Sequence, residues 1–189
     1  SEQFVKTNSV SGKLGIGASL AFAITENDVI ARVDGGALFN GTDNLTVSAD
    51  QISTTESEAR SSGSGGVALV PVAAISVARN NALALIDSGA STLSLADRAT
   101  ISSTQNVTTS SVGNGAADTG GDASLQVAVG LSAGIAISFD NNSARLARDL
   151  SVPGVLEIAA LTSHDIKSGA QSSAEKIDPE LIEDSDVEE

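Results

Sequence analysis

Four charged residues form the densest mixed cluster in the chain: Asp140, Arg145, Arg148 and Asp149. Carboxylates beside basic groups are what acid–base cleavage of a polysaccharide uses. Such enzymes also need aromatic side chains on which sugar rings stack, and the sequence has no Trp and no Tyr. We therefore predict that the protein is not an enzyme and has no catalytic residues, with a secreted carbohydrate-active enzyme as the alternative.

Metal-binding chemistry has one candidate, at residues 40–45. The stretch Asn-Gly-Thr-Asp-Asn-Leu matches half of the calcium-binding nonapeptide G-G-x-G-x-D-x-U-x, with Asp43 as the candidate ligand. Calcium sites of that class take ligands from successive turns, and equivalent stretches of this chain lack the match. We predict no resident cofactor or metal, and a calcium-dependent repeat module remains a second alternative.

The sequence contains no Cys and a single His, His164. This composition disfavours thiolate chemistry, transition-metal sites and a Ser–His triad. In a strand the neighbouring Asp165 would point to the opposite face, so the two side chains would not cooperate. We expect His164 to be a surface residue.

Three polar residues occupy equivalent positions in similar stretches: Asn27, Asn80 and Asp140. Each follows an apolar segment and precedes a second short apolar segment, a pattern of strand, corner and strand. An inward Asn at such a corner can hydrogen-bond to backbone groups of its neighbours. We predict that these are structural corner positions rather than ligand-binding residues.

The similar stretches belong to a long internal repeat. Aligning Ala31, Ala84 and Ala144 gives spacings of 53 and 60 residues. A period of this length indicates an array in which each unit buries its apolar face against its neighbours. A further Ser/Thr-rich strand with period-2 alternation follows in each unit, so that Val47, Ile101 and Ile158 are equivalent.

The array spans residues 1–176, with units at about 12–66, 67–122 and 123–176. Gly-rich segments at 61–66 and 112–122 read as connectors, either the tips of antiparallel hairpins or protruding loops. Residues 177–189 contain seven acidic residues and no basic residue, and form an acidic C-terminal tail.

The first strand of each unit alternates large and small residues. Ile16, Leu20 and Phe22 lie on one face, and Gly17 and Ala21 lie on the other. We expect such a strand to be covered on both sides, with backbone passing close to the small face.

The net charge of −14 argues against nucleic acid as a partner, because phosphate binding needs a basic face. It also argues against anionic membrane surfaces. The apolar runs are about ten residues long and contain Gly and Ser, which is too short for a membrane-spanning helix. We therefore expect no membrane insertion. The chain opens without the basic and apolar regions of a signal peptide, and we expect it to be a segment or mature product of a longer protein.

The Gly/Ala strand, the Asn corner, the short strand ending near Asp, the Ser/Thr-rich strand and the Gly-rich connector together resemble the repeats of giant bacterial surface exoproteins. These are the filamentous-adhesin and autotransporter-passenger proteins, and the resemblance covers about residues 12–170. It implies a right-handed parallel β-helix and a role in secretion, adhesion or scaffolding, usually without catalysis. The unit is longer than one usual coil, so each repeat makes either two coils or one coil with a hairpin extension.

We therefore predict an all-β fold, a parallel β-helix (β-solenoid) of about three repeats of 53–60 residues, either without or with antiparallel hairpin extensions. The predicted function is that of a structural module of an extracellular or cell-surface filament, adhesin or surface layer. The predicted partners are further copies in a homo-polymer, or neighbouring repeats of the same long chain, joined end to end or by lateral strand stacking.

Overall fold

The many β-branched residues favour extended backbone, and strands dominate the computed structural model of this protein. The structure describes residues 2–10, 14–39, 42–119 and 126–175. The acidic tail lies outside these residues. The strands are β1 (Glu2–Val10), β2 (Leu14–Ile16), β3 (Ser19–Val33), β4 (Asn44–Ser64), β5 (Val67–Ile86), β6 (Leu93–Ser94), β7 (Arg98–Asp118), β8 (Val127–Leu146), β9 (Leu150–Ser151) and β10 (Val155–Glu175).

The long strands form two sheets that the chain enters alternately. Sheet A has the order β1-β4-β7-β10. Sheet B has β5 in the centre, β2 and β3 along one side and β8 along the other. Strands β4 and β7 of sheet A contact β5 and β8 of sheet B, so the two sheets lie face to face. The short strands β6 and β9 pair separately.

Strand pairing among the described residues is parallel throughout. The expectation of antiparallel hairpin extensions is therefore wrong for this part of the chain. Each repeat instead contributes one long strand to each sheet. The lengths of β4, β5, β7, β8 and β10, which are 20 or 21 residues, account for the long repeat without a hairpin.

Equivalent residues of successive repeats lie side by side. In sheet B, Ala31 pairs with Ala84, which pairs with Ala144. In sheet A, Val47 pairs with Ile101, which pairs with Ile158. This register confirms the alignment of the repeats made from the sequence. Because side chains alternate between faces, a slip of one residue would exchange the inner and outer faces of a strand.

The predicted corners at Asn27, Asn80 and Asp140 are wrong in one respect. All three residues lie inside continuous strands, in β3, β5 and β8. Asn usually interrupts a strand because its side chain competes for local backbone groups. Here the side-chain amides of Asn27 and Asn80 bond to neighbouring strands instead, so the backbone stays extended.

The space between the sheets contains two apolar clusters, separated along the strands by polar residues. One cluster includes Ala21, Ala59 and Val70, near the turn that joins β4 to β5. The other includes Val47, Ile86 and Ile101, near the loop that joins β5 to β7. The buried polar residues between them are Gln51, Ser53, Thr55, Ser57, Ser76, Asn80, Ser103, Gln105, Thr109 and Ser111.

In β3, sheet B places small residues inward and large residues outward near the first apolar cluster. Ala21 and Ala23 are 1% and 2% exposed, whereas Leu20 and Phe22 are 63% and 51% exposed. Within the described residues, only the small face of this strand is covered, so the expectation of cover on both sides is half right. The small face brings the sheets close together, because a Cβ on Gly134 would lie 2.2 Å from the carbonyl oxygen of Gly169.

The Gly-rich segments expected to be connectors are largely strand. Residues 61–64 end β4 and residues 112–118 end β7, while Gly65 and Gly66 make the bend between β4 and β5. Their composition reflects the narrow space between the sheets, since a Cβ on Gly113 would lie 2.5 Å from the carbonyl oxygen of Ala133. Residues 120–122 of the second segment lie outside the described part of the chain.

Candidate functional site

The polar residues between the sheets form hydrogen-bonded ladders that run from strand to strand. In sheet B the Nδ2 of Asn27 donates to Oδ1 of Asn80 at 3.1 Å. The Nδ2 of Asn80 donates to Oδ1 of Asp140 at 2.7 Å. An amide can both donate and accept, so a column of amides can be joined from strand to strand. Asp140, which only accepts when ionised, ends the column.

A second ladder faces the first from sheet A. The Nε2 of Gln105 donates to Oε1 of Gln51 at 2.7 Å, and the Nε2 of Gln51 donates to the backbone carbonyl of Asn27 at 3.0 Å. The Nδ2 of Asn27 also reaches Oγ of Ser53 at 2.8 Å. These bonds join the two sheets as well as the strands within each sheet.

Serine hydroxyls make a third set of bonds closer to the first apolar cluster. Ser57 and Ser111 pair through their Oγ atoms at 2.9 Å. Ser76 donates to Oγ of Ser57 at 2.8 Å, and Ser111 donates to the carbonyl of Ile135 at 2.7 Å. Buried polar groups are costly unless they are bonded, and these contacts compensate the cost while fixing the relative position of the sheets.

The last strand of sheet A brings His164 to the Asn ladder. The Nδ1 of His164 lies 2.8 Å from Oδ2 of Asp140. The same oxygen accepts a bond from Oγ of Ser138 at 2.7 Å. The Asp140 side chain is 4% exposed and that of His164 is 42% exposed. His164 is therefore exposed, as expected, but its ring also contacts a buried carboxylate, which the sequence did not indicate.

The geometry around His164 does not form a Ser–His–Asp relay. In such a triad the serine hydroxyl donates to the histidine. Here the Ser138 hydroxyl donates to Asp140 instead. Asp165 lies on the outer face, where it accepts from Nζ of Lys167 at 2.6 Å. This hydrogen bond, together with the negative charge of Asp165, raises the pKa of Lys167.

A buried arginine connects three loops at the other end of the strands. The Nη1 of Arg148 donates to the carbonyl of Ala37 at 3.3 Å. Its Nε donates to the carbonyl of Ser91 at 3.1 Å, and its Nη2 donates to Oγ of Ser91 at 2.8 Å. Arg148 is 7% exposed, and its three nitrogens donate to loop groups of the two preceding repeats, Ala37 in the first and Ser91 in the second.

The structure separates the charged cluster seen in the sequence. Asp140 faces the interior, whereas Arg145 is five residues further along β8 and lies on the outer face. Arg148 is bonded within the loops, and Asp149 is exposed. The four residues therefore do not share one groove.

The calcium candidate Asp43 lies in the loop before β4, where its backbone carbonyl accepts from the amides of Asp97 and Arg98 at 2.9 and 3.1 Å. Its neighbours Asn40 and Gly41 lie outside the described residues. Among the residues that are described, no group of three or more His, Cys, Asp or Glu side chains could hold a metal ion.

The Gln and Ser pairs between β4 and β7 could have been found from the sequence, whereas the partners of Arg148 could not. Gln51 and Gln105 are separated by 54 residues, and the repeat alignment already paired them. The Ser57–Ser111 pair has the same separation. The partners of Arg148 carry no sequence signal, because it bonds mainly to backbone carbonyls that any residue provides.

Comparisons with protein-family models, with curated proteins and with solved structures found no match for this chain. Within the part of the chain that the structure describes, no helix is long and apolar enough to cross a membrane.

Proposed function

We propose that this chain is a structural module built as a parallel β-solenoid, which acts as a scaffold in an extracellular or cell-surface filament, adhesin or layer. In this proposal each repeat is one coil, with one long strand in sheet A and one in sheet B. The function is mechanical, and backbone ladders between coils supply the stiffness.

The observation that carries the proposal is that the polar side chains between the sheets hydrogen-bond to one another from strand to strand. Asn27, Asn80 and Asp140 are bonded to one another, and Gln105 is bonded to Gln51. These side chains hold successive strands in register rather than converging on an open cavity. A stack of parallel strands with side-chain ladders is a stiff arrangement, as in other stacked β-structures.

The exposed inward residues of the last strand support the proposal that the stack grows by adding further coils. Strand β10 pairs with β7 on one side of sheet A. Its inward residues Leu156, Ile158 and Ile166 are 45%, 46% and 50% exposed, although their equivalents in β7, such as Ile101, are fully buried. An open parallel edge with exposed aliphatic residues is a template for a further strand. The proposed occupant is another coil, from a second copy or from neighbouring repeats of a longer chain.

The extracellular location is also part of the proposal. A chain without cysteine keeps no thiol that could be oxidised outside the cell, and the net charge of −14 keeps an extended filament soluble through self-repulsion. The adhesin role rests on the resemblance described above, and on the polar outer face that sheet A offers to water or to a partner.

Sedimentation velocity over a range of concentrations, with electron microscopy of the same samples, tests the proposal. We expect open-ended oligomers that lengthen with concentration, and rod-shaped particles. The variant Ile158→Lys places a charge in the inward row of β10 and should shorten the oligomers. Ser163→Lys, which points outward from the same strand, is the matched control and should leave them unchanged.

Two results would overturn the proposal. One is a particle that stays monomeric at all concentrations and is globular in micrographs. The other is identical oligomer lengths for Ile158→Lys and the unmodified chain, because the open end of β10 would then have no part in assembly.

A further inference from the structure

The outer face of sheet B is apolar over three adjacent strands. Phe22, Leu131 and Ile135 are 51%, 55% and 46% exposed on this face. The register places Phe22, Ile75 and Ile135 in one row across β3, β5 and β8. The other large exposed residues of the face are Leu14, Ile16, Leu20, Ile24, Leu69, Val127, Val129 and Ile137. We call this surface the apolar face.

The apolar face carries no charge along about eleven residues of each strand. Residues 14–25, 67–78 and 126–139 contain no Asp, Glu, Lys or Arg, in a chain with 34 charged side chains among 189 residues. The outer face of sheet A is more polar. At comparable places it carries the charged residues Asp50 and Arg60 and the polar residue Thr104, all of them exposed. Edge-to-edge stacking of strands would leave the apolar face uncovered, because its side chains point away from the sheet.

The size of the apolar face is that of a protein interface. Three strands about 4.8 Å apart, each contributing about eleven residues at about 3.3 Å, make a flat patch on the order of 500 Å². Pairing two such patches removes on the order of 1,000 Å² from water, which is the lower bound for a specific protein–protein interface. A patch of this size lies in the upper part of the range found for the largest apolar patch of a monomer, about 300–600 Å², and such patches often have a function.

The relief of the apolar face is self-complementary. A shallow depression of about 480 Å³ lies at its centre, where Ala73 and Ala133 are the outward residues of β5 and β8. The next row, two residues further along each strand, is the ridge formed by Phe22, Ile75 and Ile135. A two-fold axis that crosses the strands midway between these two rows would place Ile75 and Ile135 of each copy over Ala73 and Ala133 of the other, as an interface between identical copies requires.

We propose that two copies of this chain pack their apolar faces together around a two-fold axis that crosses the strands between the rows of Ala73 and Ile75. The strands of the two copies then run in opposite directions, and the two sheets pack face to face as in a β-sandwich. The contact is separate from the end-to-end stacking proposed above: it uses side chains instead of strand edges, and it closes at two copies.

Charge favours a second copy over an anionic lipid surface as the occupant. The uncharged part of the face offers no cation that an anionic lipid headgroup could bind, whereas two such faces can meet without placing like charges opposite each other. Between two copies, the charged outward residues Glu26, Asp28 and Arg79 lie at the margin of the contact.

Sedimentation equilibrium of the chain carrying both Phe22→Asp and Ile135→Asp tests the proposal. Ile158→Lys is included in every sample to block end-to-end growth, so a failure of either contact can be recognised separately. We expect the reference chain to dimerise and the double variant to raise the dimer dissociation constant by about 100-fold or more, because each side chain is lost twice in a two-fold interface. Ile52→Asp is the matched control: Ile52 is 86% exposed on sheet A, and its replacement should leave the dimer intact.

A cross-linking experiment gives a second readout that does not depend on removing apolar residues. The chain has no cysteine, so Ala73→Cys introduces a single thiol near the proposed axis. A short bismaleimide should link two Ala73→Cys copies efficiently and two Ile52→Cys copies poorly. Equal yields for the two variants would contradict the proposal.

Three further outcomes overturn it. The first is a reference chain that is monomeric up to about 100 μM. The second is a dimer that survives both aspartate substitutions in a folded chain, with folding judged by circular dichroism. The third is a monomer that binds vesicles of neutral phosphatidylcholine through the same residues, which would assign the apolar face to lipid.

Discussion

The Oδ2 atom of Asp140 lies 2.8 Å from Nδ1 of His164, and this pair joins sheet B to sheet A in the last repeat. In the preceding repeats the position of His164 is held by Val107 and Ser53. Among the described repeats, the last one is therefore the one in which this position, held by His164, contacts a carboxylate, that of Asp140. The pair completes the Asn27–Asn80–Asp140 ladder, because each end of the ladder now meets a residue of sheet A.

Replacing Asn80 by Asp should be strongly destabilising. The Nδ2 of Asn80 donates to Asp140 at 2.7 Å, and a second carboxylate there would set two acceptors, and two negative charges, against each other. We expect a loss of about 3 kcal/mol or more in the free energy of unfolding, measured by urea denaturation at neutral pH.

The control for this change is Asn81→Asp. Asn81 points outward from the next position of β5 and accepts a bond from Nδ2 of Asn141 at 2.9 Å, which a carboxylate can also accept. We expect its effect to lie within about 0.5 kcal/mol. Equal losses for the two variants would show that the interior ladder has no special role.

Replacing His164 by Val should weaken the packing of the last repeat. Val restores the residue type found at the equivalent position of β7, but it leaves the buried carboxylate of Asp140 without one of its donors. We expect a cost of about 1 kcal/mol, because His164 is partly exposed and water can replace some of the bond. Ser163→Val, on the outer face, should cost less.

A double-mutant cycle with Asp140→Asn separates the pair from its surroundings. If the contact is real, the cost of His164→Val should be smaller in the Asp140→Asn background than in the unmodified chain. Additive costs in urea denaturation would mean that the two side chains do not interact.

Replacing Gly134 by Ala should force the sheets apart. The new Cβ would lie 2.2 Å from the carbonyl oxygen of Gly169 and 2.7 Å from that of Ser111, and neither backbone can move without breaking a ladder. We expect a loss of about 1–3 kcal/mol by thermal or urea unfolding. The control is Gly169→Ala, whose nearest contact would be Cγ2 of Val112 at 3.9 Å, and which should be tolerated.

Replacing Arg148 by Lys should loosen the three loops that it joins. Lys keeps the charge but cannot donate in several directions from one plane, so the carbonyls of Ala37 and Ser91 would lose donors. We expect a loss of about 1–3 kcal/mol and faster amide exchange near Ser91. Arg145→Lys, on the outer face of the same repeat, should change neither quantity.

Much of the fold could be predicted from the sequence. The spacing of Ala31, Ala84 and Ala144 predicts adjacent strands in parallel register, and the structure pairs these residues. The spacing could not predict that Asn27, Asn80 and Asp140 lie inside strands rather than at corners. Asn27 reads as a turn residue in isolation, and it stays in a strand because Ser53 and Asn80 accept its side-chain donors.

The candidate site also has one part that the sequence predicts and one part that it does not. The equivalence of Asn27, Asn80 and Asp140 follows from the repeat, since any periodic array brings like residues together. The pairing of Asp140 with His164 joins residues 24 positions apart on opposite sheets, so it depends on how closely the sheets approach and is absent from any periodicity.

By itself the sequence determined which residues are equivalent and which alternate, because repeat spacing and a two-residue period are properties of the chain. Tertiary structure alone decided which of the two faces is buried. Leu20 and Phe22 are larger and more apolar than Ala21 and Ala23, yet the alanines face the interior. The reason is steric and local: in the row of Ala21, Ala74 and Gly134 the sheets approach so closely that a Cβ on Gly134 would meet the backbone of Gly169, so only small side chains fit inside and the large ones lie outside.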